Sequence, residues 1–146
     1  MKSVQKITRV KLDVNQKDEF LVLGIVSAEP DYKLSLSINK KFNISLKNNS
    51  PITVTSDNSN SLVFSKFSDL SDSPHKVFNL ISNRSGKNFL LKKLKNVDYI
   101  FHIQETDYKA NTNYYSLLLR EINTITAVFN IDLNIIKDQN LQYIIQ

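Results

Sequence analysis

The chain has 146 residues, 41% hydrophobic and 23% charged, proportions that let one domain bury a core and argue against both a second domain and global disorder. It contains no cysteine, so it has no disulfide, thiolate metal site or thiol nucleophile, and packing must hold the fold. Its 19 basic and 14 acidic side chains give a net charge of +5, which fits a polyanionic partner without requiring one.

Met1 to Ile7 carry charge with no apolar stretch behind them, the pattern expected of a cytoplasmic rather than a secreted protein. Val10, Leu12 and Val14 alternate with polar residues and predict a half-buried strand near a sheet edge. Phe20 to Val26 is a continuous apolar run far short of the about 20 residues a membrane-spanning helix needs. It predicts a central strand covered on both faces, with Gly24 marking a bulge or a close backbone approach. No membrane partner is expected.

Residues 29–42 predict a helix. Ser27 is a candidate N-cap and Pro30 suits the first turn. Glu29 and Asp31 sit where the macrodipole favours acids, and Lys40 and Lys41 complement the other end. A strand is expected from Ile44 to Leu46. A β meander should follow through Ile52 to Val54, Leu62 to Phe67, Lys76 to Ile81, Phe89 to Leu91 and Val97 to Gln104. Turns at 57–60, 71–74 and 83–86 would separate these strands.

Next, Asn111-Thr112-Asn113 can cap a second helix with Tyr114, Leu118, Ile122 and Ile125 on its apolar stripe. Ala127 to Leu133 then predicts a strand, making a β-α-β unit whose two strands run parallel. Leu141 to Ile145 reads as a short terminal strand. Together these elements predict a single α+β domain over residues 1–146. Its mainly antiparallel, twisted sheet of six or more strands would carry one helix from the N-terminal half and one near the C-terminus on the same face.

Two glycines, Gly24 and Gly86, are too few for a phosphate loop, a dinucleotide fingerprint or a nucleophile elbow, so no cofactor is expected. His75 and His102 lack metal-ligand spacing. His102, Glu105 and Asp107 form the best local metal candidate, against the simpler reading of a strand end entering a polar loop. Asp98 and His102, four strand residues or roughly 13 Å apart, are too far apart for a dyad. Asp98 is expected to pair with a Lys on a neighbouring strand, and Asp98, His102 and Gln104 to line a shared polar face. Arg84, Lys87, Lys92, Lys93 and Lys95, with Phe89 among them, are candidates for a nucleic-acid-binding surface, or else a lysine-decorated edge that discourages strand pairing.

From Leu90-Leu91-Lys92-Lys93-Leu94-Lys95-Asn96 into Val97-Asp98-Tyr99, the chain resembles the bacterial family named for its IPExxVDY motif. Its VDY half is kept, while Lys92, Lys93 and Leu94 stand at the IPE positions. Leu12-Asp13, Asp31-Tyr32-Lys33-Leu34, Asn39-Lys40-Lys41 and Val128 to Asp132 extend the similarity. The resemblance implies a helix over 29–42 and supplies no catalytic residue. The expectation is therefore a non-enzymatic binding or regulatory module acting through protein-protein or homodimer contacts at sheet edges. A nucleic-acid (RNA) binding module using the basic patch and an enzyme with a dispersed Asp/Glu/His site are the alternatives.

Overall fold

The computed structural model describes residues 20–55, 60–105 and 112–145. The predicted strand at residues 10–14, the turn at 57–59, Asp107 and Asn111 lie outside them. Eight strands are described: β1 (Phe20–Ser27), β2 (Lys47–Thr55), β3 (Ser61–Asp72), β4 (Lys76–Ser82), β5 (Arg84–Ser85), β6 (Asn88–Phe89), β7 (Tyr99–Glu105) and β8 (Ile125–Asn130). The helices are α1 (Asp31–Phe42), α2 (Thr112–Arg120) and α3 (Gln142–Ile145), the last preceded by a 3-10 turn at Gln139–Leu141.

Six strands form one sheet in the order β2-β3-β4-β7-β1-β8, with every adjacent pair antiparallel. β1 lies between β7 and β8, and Leu21, Val22, Leu23 and Ile25 are buried across its two faces, as a two-sided apolar run requires. β7 and β8 are both antiparallel to β1 and therefore parallel to each other. The predicted β-α-β direction is thus present, with β1 inserted between its two strands.

One face of the sheet carries Leu23, Ile25, Phe101 and Ile103 under Leu34 and Ile38 of α1 and Tyr115 and Leu119 of α2. Both long helices therefore share this face, and burying each such side chain contributes about 1.5–3 kcal/mol. The opposite face carries Val22, Phe64, Ile81 and Ile100 and is covered by Leu90, Leu91 and Val97 of the β6–β7 connection and by Ile144. Gly24 provides a close approach there. A Cβ on Gly24 would stand 3.0 Å from Val97 Cγ2 and 3.1 Å from Ile131 Cδ1.

Several elements depart from the sequence expectation. Pro30, rather than Ser27, caps α1. The Ser27 hydroxyl instead donates to Thr124 O and accepts from Glu29 N. α1 ends at Asn43, in the left-handed region at φ 57°. The expected strand at Ile44 to Leu46 is a connection, because Asn39 holds both the N–H and the carbonyl of Leu46 through its side chain. Of the expected Phe89 to Leu91 strand only Phe89 pairs, with Asn88 before it, in a small hairpin whose turn places Gly86 at φ 62°.

Of the predicted stripe, Ile122 and Ile125 are buried but lie beyond the end of α2 at Arg120, and within α2 the buried apolar positions are one residue on from Tyr114 and Leu118. Tyr115 and Leu119 are buried, whereas Tyr114 is 55% exposed. β8 begins at Ile125 and ends at Asn130, earlier than the expected Ala127 to Leu133. The tail forms a 3-10 turn and one helical turn rather than a strand, since the Asp138 carboxylate caps Asn140 N and starts a local turn.

Candidate functional site

The VDY residues point to three different neighbours. Val97 fills the space above Gly24. Asp98 accepts from Arg84 Nε at 2.5 Å and from the backbone N–H of Ser27 at 2.9 Å. The Tyr99 hydroxyl donates to Glu29 O at 2.5 Å. These residues therefore clasp the β1–α1 turn to the start of β7 and to Arg84 of β5. Around it lies a cleft of about 350 Å³ lined by Ser27, Glu29, Pro30, Arg84, Asp98 and Tyr99, among others. Burial, with the nearby carboxylates of Asp31, Asp98 and Glu29, pushes the Tyr99 hydroxyl up to about 12. That phenol is a donor at neutral pH. Asp98 pairs with Arg84, not with the Lys expected of a neighbouring strand.

The structure does not bring Asp98, His102 and Gln104 into one exposed polar face. Asp98 is turned toward the cleft, while His102 is 1% exposed. Its imidazole ends a polar row running directly across three strands, since Ser68 lies opposite Asn79 and Asn79 opposite His102. Asn49 Nδ2 donates to Ser68 Oγ, Ser68 Oγ donates to Asn79 Oδ1 at 2.6 Å, and Asn79 Nδ2 meets His102 Nδ1 at 3.3 Å. Because the Asn79 oxygen is already the acceptor for Ser68, its amide nitrogen faces the ring, Nδ1 must accept, and the proton resides on Nε2. Burial first, and the Lys66 charge second, lower the His102 pKa to about 4. The neutral ring stacks on Phe20 at 5.4 Å, and Nε2 is buried with no hydrogen-bond partner among the described residues.

Glu105 belongs to the other side of β7. Its Oε1 accepts from the Tyr115 hydroxyl and lies 3.5 Å from Lys76 Nζ. Its Oε2 is buried without a partner among the described residues. Strand alternation places His102 and Glu105 on opposite faces, so they do not converge on a metal. Among the described residues no group of three or more His, Asp or Glu side chains could hold one. No described helix is long and apolar enough to cross a membrane.

A second cleft, of about 310 Å³, lies beside the β2–β3 pair and is lined by Ser45, Lys47, Asn49, Ser68 and Asp69, among others. Burial pushes the Asp69 carboxyl up, but hydrogen bonds from the Ser71 hydroxyl and from the backbone of Ser45 and Ser71 outweigh it, leaving the group below the usual carboxylate range.

The basic stretch divides in two. Arg84 is bound through Nε to Asp98 and lies over the Phe89 ring, 5.0 Å from its centroid, so that ring face is covered while the Arg84 side chain stays half exposed. Lys87, Lys92, Lys93 and Lys95 are exposed and form no ion pair among the described residues. Their loop is organised by Asn83, which sequence reasoning took only as a turn residue. Asn83 is fully buried, and its Nδ2 donates to Leu94 O and Val97 O while its Oδ1 accepts from Leu91 N. An Asn beside a Gly turn and ahead of an apolar pair was the available signal.

Among the described residues the edge strands of the sheet are β2 and β8, and they differ. β2 contains Lys47 and Pro51 and has a register irregularity between Asn49 and Ile52, features that obstruct further pairing. β8 reads ITAVFN, with neither charge nor proline. Ile131 N donates to Val22 O, so Val22 and Ile131 form a hydrogen-bonded pair. Alternation from that pair leaves the backbone groups of Val128 and Asn130 facing away from β1. Arg120 Nη2 donates to one of them, Val128 O, at 3.2 Å. No protein-family model matches this sequence, and no curated protein is similar to it, so the roles of these residues rest on their contacts.

Proposed function

We propose that this chain is a non-enzymatic binding module that self-associates by pairing β8 with the β8 of a second copy. The observation that carries this reading is the asymmetry of the two edges. β2 is obstructed by Pro51, Lys47 and its irregular register, whereas β8 is uncharged and presents outward backbone groups at Val128 and Asn130. Antiparallel pairing about a two-fold axis uses the same edge on both copies and closes with the first partner. The obstructed β2 edges then lie at the two ends of a doubled sheet. Phe129, 42% exposed at this edge, supplies apolar surface that the partner would cover.

Sedimentation of the full chain over a wide concentration range tests the reading. The expected result is a concentration-dependent dimer that Phe129→Lys returns to a monomer with unchanged circular dichroism. A parent that remains a monomer at the highest concentration would overturn it.

A further inference from the structure

We infer that the loop carrying Lys87, Lys92, Lys93 and Lys95 is a surface for the phosphate backbone of nucleic acid, contacted without readout of the bases. This inference does not depend on self-association, because every residue it uses lies in one copy.

The loop is a built platform rather than a loose basic tail. Leu90, Leu91 and Val97 are buried against the sheet. Asn83 holds residues 91, 94 and 97 by its side chain, while its backbone carbonyl accepts from Leu90 N. From the C-terminal segment, Asn140 Nδ2 donates to Leu90 O and Asp138 Oδ2 accepts from Lys92 N. Two tight turns, closed by Leu94 N to Leu91 O and Val97 N to Leu94 O, fold the chain between these anchors. Lys92, Lys93 and Lys95 therefore have Cα atoms within about 11 Å of one another, three steps of about 3.8 Å. A fixed backbone lessens the ordering cost when the loop meets a ligand.

The exposed chemistry selects the partner. Gly86, Lys87, Asn88, Lys92, Lys93, Lys95 and Asn96 are exposed and offer ammonium and amide donors with no large apolar group among them. A protein interface needs a water-excluding apolar centre and is depleted in lysine, whereas a phosphate backbone needs cations and N–H donors. The loop's own cations are lysines, point charges without the planar fork of an arginine, and the aromatic ring beside them, Phe89, is half-buried with one face covered by Arg84. Binding should therefore be indifferent to sequence and steeply salt-dependent.

Fluorescence anisotropy of the full chain with labelled 20-nucleotide RNA of two unrelated sequences tests this between 50 and 200 mM salt. The expected result is equal affinity for both sequences, with log K falling against log salt at a slope near −2 to −3, from about 0.7 per neutralised phosphate in a single strand. Replacing Lys92, Lys93 and Lys95 with Ala should weaken binding at least tenfold at 50 mM and flatten the slope. Lys92→Ala with Lys93→Ala is the charge-matched counterpart of Lys33→Ala with Lys40→Ala on α1, and only the loop pair should weaken binding. Equal losses from the two pairs would reduce the effect to net charge and overturn the inference. So would a parent that does not bind, one that distinguishes the two RNAs by more than tenfold, or one that prefers polyglutamate to RNA.

Discussion

Asn79 and His102 sit directly opposite one another on adjoining strands and meet through Nδ2 and Nδ1 at 3.3 Å, an arrangement that accommodates only the neutral imidazole. Protonation would put a hydrogen on Nδ1 facing the Asn79 amide and a charge in a site 1% exposed.

Stability should therefore depend on pH through His102. Its folded pKa, about 4, lies below the ordinary 6.5. Above pH 6.5 both folded and unfolded states are neutral at this position and the full stability is present. As pH falls below 6.5 the unfolded chain takes up the proton first, so stability is lost progressively until about pH 4. The loss approaches roughly 3 kcal/mol, from about 1.4 kcal/mol for each unit of displacement. Urea unfolding at pH 7.5, 5.5 and 4 checks this, with His102→Leu expected to lose less stability than the parent over the same interval. Parallel curves for the two proteins would refute it.

Tyr99 gives the opposite dependence at alkaline pH. Its folded pKa is raised from 10.0 to about 12, so its contribution is present below pH 10 and is lost as pH rises toward 12. Ultraviolet titration should find a tyrosinate that appears late relative to exposed phenols, and Tyr99→Phe should remove it. Without its hydroxyl, Glu29 O loses a donor, at a cost of about 1 kcal/mol at pH 7. A Tyr99→Phe protein whose titration curve matches the parent's would contradict the assignment.

Two positions should prove unusually intolerant of small changes. Gly24→Ala places a methyl group 3.0 to 3.2 Å from Val97 and Ile131 in the middle of a central strand, and overpacking of this kind costs about 1–3 kcal/mol. Asn83→Ala leaves the carbonyls of Leu94 and Val97 and the N–H of Leu91 without their partner, with an expected loss of about 2–4 kcal/mol. Thermal unfolding measures both. An Asn83→Ala protein as stable as its parent would mean the loop is held by its leucines alone.

These residues also mark the limits of what the sequence revealed. β1, α1 and the two-faced sheet were readable, because continuous apolar runs, acids at a helix start and lysines at its end are local signals. The α2 stripe was misplaced because Tyr114, Tyr115, Leu117, Leu118 and Leu119 are apolar enough to supply a helical stripe in more than one phase, and only packing against the sheet selects Tyr115 and Leu119. Leu141 to Ile145 has strand-like composition, yet it packs on the second face of the sheet through Ile144 rather than joining the described strands. The Asn79–His102 row and the hub at Asn83 depend on register between distant segments, and spacing along one chain carries no record of that. The candidate surfaces were half legible. The lysines of 87–95 were visible as a cluster, whereas the contacts of Arg84 with Asp98 and with the Phe89 ring were not.

Arg120 supplies the last prediction, which bears on self-association. Its Nη2 covers Val128 O, an outward carbonyl on the open edge, so a partner strand must displace the guanidinium before it can pair there. Arg120→Ala removes that competitor and leaves the bonds between β1 and β8 intact. If β8 is the pairing edge, the variant should dimerise several-fold more tightly than the parent, and combining it with Phe129→Lys should abolish the gain. The single contact it removes is partly exposed and contributes about 0.5–1.5 kcal/mol, so the fold should survive the substitution. Sedimentation of the parent, the single variant and the double variant at matched concentrations gives the answer. Weaker association on loss of Arg120 would mean that the guanidinium contributes to an interface elsewhere, and β8 pairing would have to be abandoned.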